Sequence, residues 1–232
     1  MRKFGLLGKN IDYSFSRGYF NERFEKEGID ANYVNFDLQD ISELSQVFVQ
    51  NQLSGMNVTI PYKQDVIAFL DRLSPEAEAI GAVNVVKFEE DGTRTGYNSD
   101  YHGFKNSLLP LLKRTPKKGL ILGTGGASKA IKYTFETLGI EPMFVSRTAK
   151  EGQLTYADLT QEIIEEHLLI VNSTPLGTFP NITQCPDIPY GYITPDHMLF
   201  DLVYNPVSYT HLRAHETELH LVCRLLLEKK KK

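Results

Sequence analysis

The sequence predicts an α/β protein built around mostly parallel sheets. Short apolar runs alternate with segments of helical periodicity through the first half of the chain, which is the pattern of βα units. A later apolar run, GLILG at 119–123, leads directly into a glycine cluster. Two β-rich runs also flank an Asp91-Gly92 dipeptide, which favours a tight hairpin turn. We therefore expect parallel strands joined by helices, with one antiparallel hairpin added.

The spacing of apolar residues predicts each element of the first half. Alternating or continuous apolar residues indicate strands, and apolar residues three or four apart indicate helices. Gly8 closes the first strand and Gly28 ends the first helix, because glycine is a common stop signal. In chain order we expect a strand at 3–8, a helix within 14–28, a strand at 32–38, a helix at 41–53 whose last apolar position is Leu53, and a strand at 55–59.

Composition limits the classes of function. The 232 residues are 41% hydrophobic and 23% charged, with a net charge of −4, so a nucleic-acid partner is not expected. No apolar run reaches the roughly 18 residues of a membrane span, and the N-terminus lacks the apolar region of a signal peptide. Two cysteines, Cys185 and Cys223, are too few for a disulfide framework. We expect a cytoplasmic protein with no membrane contact.

A domain boundary is expected where the alternating pattern pauses. Pro110 and Pro116 interrupt the basic stretch at 108–119, and a strand follows at once. We place the boundary near Thr115. The predicted ranges are a first domain at 1–114, a second domain at 115–207 and a tail at 208–232.

The stretch NVTIPYK ends the third strand with polar groups. Thr59 lies at the strand end, Pro61 stops the strand pattern, and Lys63 follows directly. A strand that ends in a turn carrying polar side chains is a common way to build a site. A solvated lysine on an ordinary connection is the alternative interpretation.

The glycine cluster after GLILG predicts a Rossmann-like loop. Between a strand and a helix, glycines let backbone N–H groups approach a pyrophosphate at the helix N-terminus. The spacing departs from GxGxxG, and a plain strand–helix turn is the alternative. The expected cofactor-binding residues of this loop are Gly123, Thr124, Gly125, Gly126 and Ala127.

The end of the next strand favours NADP over NAD. An NAD-binding fold places an acidic residue on the ribose about twenty residues after the loop. Here Ser146, Arg147 and Thr148 occupy that place, with Lys150 just beyond. A guanidinium pairs with a 2′-phosphate that a carboxylate would repel. A surface arginine at a strand end is the alternative.

With these motifs in sequence order, the chain resembles the shikimate dehydrogenase family from about residue 3 to Pro206. The matching stretches are GLLGKNIDYSFS, NVTIPYK, GAVNVV, GYNSDYHGF, GTGGAS with SRT, and DLVYNP. The resemblance implies two α/β domains, a substrate domain and a Rossmann-like NADP domain, with the active site in the cleft between them. It also implies reversible NADPH-dependent reduction of 3-dehydroshikimate to shikimate, in aromatic amino-acid biosynthesis.

The resemblance assigns roles to particular residues. Lys63 would be the catalytic proton donor and acceptor, and Asp100 would hold it in position. Leu202 would lie beside the cofactor. The implied substrate contacts are Ser14, Ser16, Thr59, Lys63, Asn84, Asp100 and Tyr204. Helix capping by the serines or by Asp100, a neighbouring loop for Asn84, and strand or turn roles for Thr59 and Asn57 are the structural alternatives.

The C-terminus departs from the family after Pro206, and we expect a truncated gene with a replaced end. His211, His215, His220 and Cys223 lie there, but no catalytic context accompanies them, so no metal is expected. Two other functions remain open. One is a quinate/shikimate dehydrogenase, and the other is a non-catalytic NADP-binding remnant. Monomers and dimers are both expected.

Overall fold

The computed structural model describes residues 1–12, 14–148, 150–178 and 182–203. The chain divides into two compact units, Met1–Asp100 and Tyr101–Lys232. This division falls inside a helix, earlier than the boundary near Thr115, and the domain ranges 1–114, 115–207 and 208–232 stay predictions.

The first unit is built on a six-stranded mixed sheet. Its strands are β1 (Arg2–Gly8), β2 (Ala31–Asp37), β3 (Leu53–Val58), β4 (Arg72–Leu73), β5 (Val85–Phe88) and β6 (Arg94–Tyr97), in the order β2-β1-β3-β5-β6-β4. The first three are parallel, and β5 and β6 form the antiparallel hairpin expected around Asp91-Gly92. The helices are α1 (Ser16–Lys26), α2 (Leu44–Gln50) and α3 (Pro75–Ile80), and α4 (Ser99–Leu108) begins at the end of this unit.

Apolar side chains cover both faces of this sheet. Successive residues of a strand point to opposite faces, and in β1 the neighbours Leu6 and Leu7 belong to different apolar clusters. Leu7 packs with Leu44 of α2, while Leu6 packs with Tyr33 on the face that carries α1. Strand β1 is therefore buried on both sides, and the loop that follows Gly8 begins from a fixed position.

The predicted helix over 41–53 is too long at its C-terminal end. A short 3-10 turn and α2 end at Gln50, and Leu53 is the first residue of β3, where it is buried. Leu53 packs in the same apolar cluster as Leu44 of α2. The helical spacing was therefore misleading at this position.

The second unit contains a four-stranded, fully parallel sheet. Its strands are β7 (Lys118–Leu122), β8 (Glu141–Val145), β9 (Leu169–Asn172) and β10 (Met198–Asp201), in the order β10-β9-β7-β8, and its further helices are α5 (Gly126–Thr137) and α6 (Gln161–Glu166). In β7, Leu120 and Ile121 pack into clusters on opposite faces. The chain moves to one side of β7 for β8 and to the other side for β9. Such a reversal of strand order marks the usual ligand crevice of doubly wound folds.

No helix in the described part of the chain is long and apolar enough to cross a membrane.

Candidate active site

The structure brings three of the predicted site residues of the first unit together. Lys63 Nζ lies 2.6 Å from Asp100 Oδ2, and Asn84 Nδ2 lies 2.8 Å from Asp100 Oδ1. The side chains of Lys63 and Asp100 are 17% and 34% exposed, and Asn84 is buried. Asp100 thus accepts one hydrogen bond at each carboxylate oxygen, and the site is partly buried.

Backbone hydrogen bonds hold the segments that carry Lys63 and Asn84. Val58 N, at the end of β3, donates to Asn84 O at 2.9 Å, and Val83 N donates to Lys63 O at 2.7 Å. Thr59 N donates to Leu7 O at 2.8 Å, so the turn after β3 is also tied to β1. The position of Lys63 therefore depends on sheet contacts and not only on its own turn.

The side chain of Asn84 connects β5 to the start of α4. Its Oδ1 accepts from Ser99 N at 2.8 Å, and its Nδ2 donates to Ser99 Oγ at 2.9 Å as well as to Asp100. A buried amide needs partners of this kind. Asn84 therefore satisfies a backbone N–H at the α4 N-terminus, whereas Asp100 lies inside the first turn.

Ser99 is a polar contributor that the sequence analysis did not single out. Its hydroxyl accepts from Asn84 Nδ2 at 2.9 Å and donates to Asn84 Oδ1 at 3.2 Å. The only signal in the sequence is its place directly before Asp100. A neighbouring hydroxyl of this kind cannot be told from a helix-start serine by sequence alone.

Ser14 and Ser16 lie together at the start of α1. Ser14 Oγ donates to Ser16 Oγ at 3.2 Å and accepts from Ser16 N at 3.3 Å. The residue before the helix, Phe15, makes no side-chain capping bond. The two hydroxyls therefore form one polar pair on half-buried residues, and Thr59 is half-buried directly after β3.

The glycine loop lies at the switch point of the second sheet. Gly123 follows β7 with φ +101°, and a Cβ there would approach Ser173 Oγ to 3.1 Å. Gly125 precedes α5 without any side-chain cap, and a Cβ there would meet open space. No acidic residue occurs in the first turn of α5. These features fit an approaching phosphate, because backbone N–H groups remain the donors.

The remaining predicted cofactor-binding residues lie in or beside the glycine loop and after β8. Thr124 lies in the glycine loop, and Gly126 and Ala127 are the first two residues of α5. Ser128 does not extend the donor set, since its hydroxyl is buried and donates to Gly125 O at 2.6 Å. Arg147, Thr148 and Lys150 are exposed after β8, and Ser146 is half-buried. Arg147 makes no salt bridge with another described residue.

The ends of β9 and β10 are joined by polar contacts. Asn172 Nδ2 donates to Asp201 Oδ1 at 3.2 Å, and Thr174 N donates to Asn172 Oδ1 at 3.0 Å. Leu202 N donates to Asn172 O at 3.1 Å, and the Leu202 side chain is half-buried against an apolar cluster.

Tyr204 and the tail at 208–232 lie outside the described residues. Within the described ranges no cluster of His, Cys, Asp and Glu could hold a metal ion.

Comparison with known proteins assigns the chain to a family. Residues 6–86 match the model for the shikimate dehydrogenase substrate binding domain. A shikimate dehydrogenase (NADP(+)) from Caldicellulosiruptor saccharolyticus is 33% identical over 93% of this chain and 84% of its own length. Another from Methanococcus maripaludis is 34% identical, over 90% of this chain and 80% of its own.

Solved structures agree with this assignment. The shikimate 5-dehydrogenase from Thermus thermophilus, in complex with NADP(H) and shikimate, has a TM-score of 0.79 at 28% identity, covering 96% of this chain and 87% of its own. A quinate dehydrogenase from Corynebacterium glutamicum in complex with NAD has a TM-score of 0.78 at 25% identity, covering 92% and 84%. With the motifs in order, two α/β units and a relative matched over most of both lengths, the chain belongs to the shikimate dehydrogenase family.

Proposed function

We propose that this chain is an NADP-dependent shikimate dehydrogenase, which interconverts shikimate and 3-dehydroshikimate. The observation that carries the proposal is the 2.6 Å contact between Lys63 Nζ and Asp100 Oδ2. Family membership indicates the class of reaction. Lys63, held by this contact, is the proton-transfer group that the reaction needs. On this proposal, the chain is an oxidoreductase that acts on a CH–OH group of its substrate.

The proton step falls to Lys63. Reduction of a ketone leaves negative charge on the carbonyl oxygen, so the site must supply a proton there. The Lys63 ammonium donates that proton and, in the reverse direction, Lys63 takes it from the hydroxyl. Asp100 keeps Lys63 in one orientation, and Asn84 keeps the second Asp100 oxygen occupied. NADPH, when bound, supplies the hydride.

The substrate residues are assigned by their donors. Ser14 and Ser16 form a hydroxyl pair at the start of α1, where hydroxyls and helix N–H groups favour a carboxylate. We assign the substrate's ring carboxylate to this pair. Thr59 and Asn84 face its hydroxyls, and Tyr204 remains an assignment from the resemblance alone.

The cofactor residues are assigned to the phosphates and the ribose. The loop Gly123–Ala127 offers its backbone to the pyrophosphate, and Leu202 packs beside the nicotinamide. Arg147 pairs with the 2′-phosphate, with Ser146, Thr148 and Lys150 around it. The exposed guanidinium, which makes no salt bridge to the described residues, supports NADP over NAD, since it pairs with a 2′-phosphate at a place where NAD-binding folds have a carboxylate on the ribose hydroxyl.

The test is NADP⁺ reduction by the purified full chain in the presence of shikimate, followed by the absorbance of NADPH. Lys63→Ala is compared with Lys87→Ala, a lysine of the same unit that also pairs with a carboxylate at 2.6 Å. We expect Lys63→Ala to lose at least about 100-fold in kcat and Lys87→Ala to match the unaltered chain. An unaltered chain that binds NADPH yet never reduces NADP⁺ contradicts the proposal and favours a non-catalytic remnant.

A quinate dehydrogenase is the second candidate, because one structural neighbour carries that name. Parallel assays with quinate and shikimate, each with NAD⁺ and NADP⁺, decide between them. We expect shikimate with NADP⁺ to give the highest kcat/KM. We propose a cytoplasmic location and a monomer or homodimer as the working form. We propose no partners beyond these small molecules.

A further inference from the structure

A carboxylate at the end of β2 accepts two of the hydrogen bonds that attach the segment between β1 and α1, beside bonds from Asn35 Nδ2 to Ile11 O and from Gln39 Nε2 to Asn10 Oδ1. Asp37, the last residue of β2, accepts from two consecutive backbone amides, with Asn10 N at 2.8 Å from Oδ1 and Ile11 N at 3.0 Å from Oδ2. Asn10 has φ +54°, a left-handed conformation that is uncommon outside glycine. Asp37 therefore stabilises a turn that contains one left-handed residue.

The same turn leads directly to the hydroxyl pair of α1. The Ile11 side chain is 1% exposed, which anchors the middle of the segment in the core. Ile11 O accepts from Ser14 N at 2.9 Å, and Ser14 Oγ contacts both Ser16 N and Ser16 Oγ. One residue, Ile11, thus donates its N–H to Asp37 and accepts the Ser14 bond at its carbonyl.

We propose that Asp37 is a positioning residue for substrate binding, which fixes the backbone that carries Ser14 and Ser16. The inference rests on the proposed function, which assigns the substrate carboxylate to these serines. A carboxylate suits this task because it accepts at both oxygens, whereas an amide accepts at one only. Asp37 does not touch the substrate. It holds the segment in one conformation before substrate binds. A segment that had to become ordered on binding would cost free energy and weaken the affinity for substrate.

The consequence is a change in KM and not in kcat. The serines contact a part of the substrate that does not react, so their bonds are equally strong before and during hydride transfer. Loss of such uniform binding raises KM and leaves kcat unchanged. A purely structural role for Asp37 would instead lower the melting temperature and affect both substrates alike.

The experiment compares Asp37→Asn with Asp40→Asn. Both changes remove one exposed carboxylate, and Asp40 also accepts a backbone amide, Ser42 N at 2.8 Å, but it caps the 3-10 turn before α2. We expect Asp37→Asn to raise KM for shikimate roughly fivefold or more, with kcat and the KM for NADP⁺ within about twofold of the Asp40→Asn values. Equal shikimate KM values in the two variants overturn the proposal.

Hydrogen exchange gives a readout that needs no activity. In Asp37→Asn the amides of Asn10, Ile11 and Ser14 exchange faster than in Asp40→Asn, while core amides of β1 do not change. Unchanged exchange at these three amides overturns the inference. If the unaltered chain does not oxidise shikimate, the proposed function fails separately, and exchange alone then decides whether Asp37 holds the segment.

Discussion

Replacement of Asp100 by asparagine should lower the activity that depends on Lys63, while it keeps a side chain of the same size at this position. The carboxylate faces a donor on each side, Lys63 Nζ at 2.6 Å and Asn84 Nδ2 at 2.8 Å. An amide has one oxygen and one NH₂ group, so in either orientation one of these donors meets another donor. A hydrogen bond to a charged group contributes about 1.5–3 kcal/mol. Because Asp100 is 34% exposed, water screens part of this, and we take roughly 1.5–2 kcal/mol.

That free energy corresponds to a roughly 10- to 30-fold loss in kcat/KM for shikimate. Initial rates of NADP⁺ reduction across a range of shikimate concentrations measure it. Asp65→Asn is the matched control, since Asp65 is an exposed carboxylate two residues after Lys63. Asp100→Asn with the same kcat/KM as Asp65→Asn would refute the assignment of Asp100 as the partner that orients Lys63.

Two further predictions concern the cofactor and acid stability. Arg147→Ala should raise the KM for NADP⁺ by about tenfold or more and leave the KM for NAD⁺ unchanged, because only NADP⁺ carries the 2′-phosphate; equal effects on both cofactors would contradict this. Arg94 lowers the pKa of Asp71 to about 2 from its ordinary 3.8, through hydrogen bonds of 2.8 and 2.9 Å. A lowered carboxyl pKa stabilises the fold above the unfolded value, and the effect disappears as pH falls from about 3.8 to about 2. Asp71→Asn should flatten the fall in melting temperature across this window, and an unchanged slope would argue against the pair.

Local chemistry made the strands, the hairpin and the glycine loop predictable. Asp91-Gly92 favours a turn whatever surrounds it, and Gly92 has φ +82° in the structure. The strand, the turn and the helix start around the glycines after β7 were likewise predictable, because they are consecutive in the chain. Leu53 shows the limit of this approach, since its apolar side chain suits the end of a helix and the start of a strand equally well.

The polar partners of the candidate site were less accessible to prediction. Asp37 bonds amides 26 and 27 residues earlier, and Asn84 bonds groups 15 and 16 residues later. No periodicity connects such positions, because the sheet order β2-β1-β3-β5 brings them together. The link between Lys63 and Asp100 came from the family resemblance for the same reason.

The hydrogen bonds of Asn84 bear on how it would contribute to catalysis. Its amide nitrogen donates to Ser99 Oγ and Asp100 Oδ1, and its oxygen accepts from Ser99 N and Ser99 Oγ. A substrate hydroxyl at Asn84 would therefore have to share or replace one of these bonds. Sharing the contact to Asp100 would weaken the bond that fixes the carboxylate, whereas sharing the contact to Ser99 would not. Ser99 Oγ thus gives Asn84 a bond that can be exchanged for substrate while Asp100 stays in place beside Lys63.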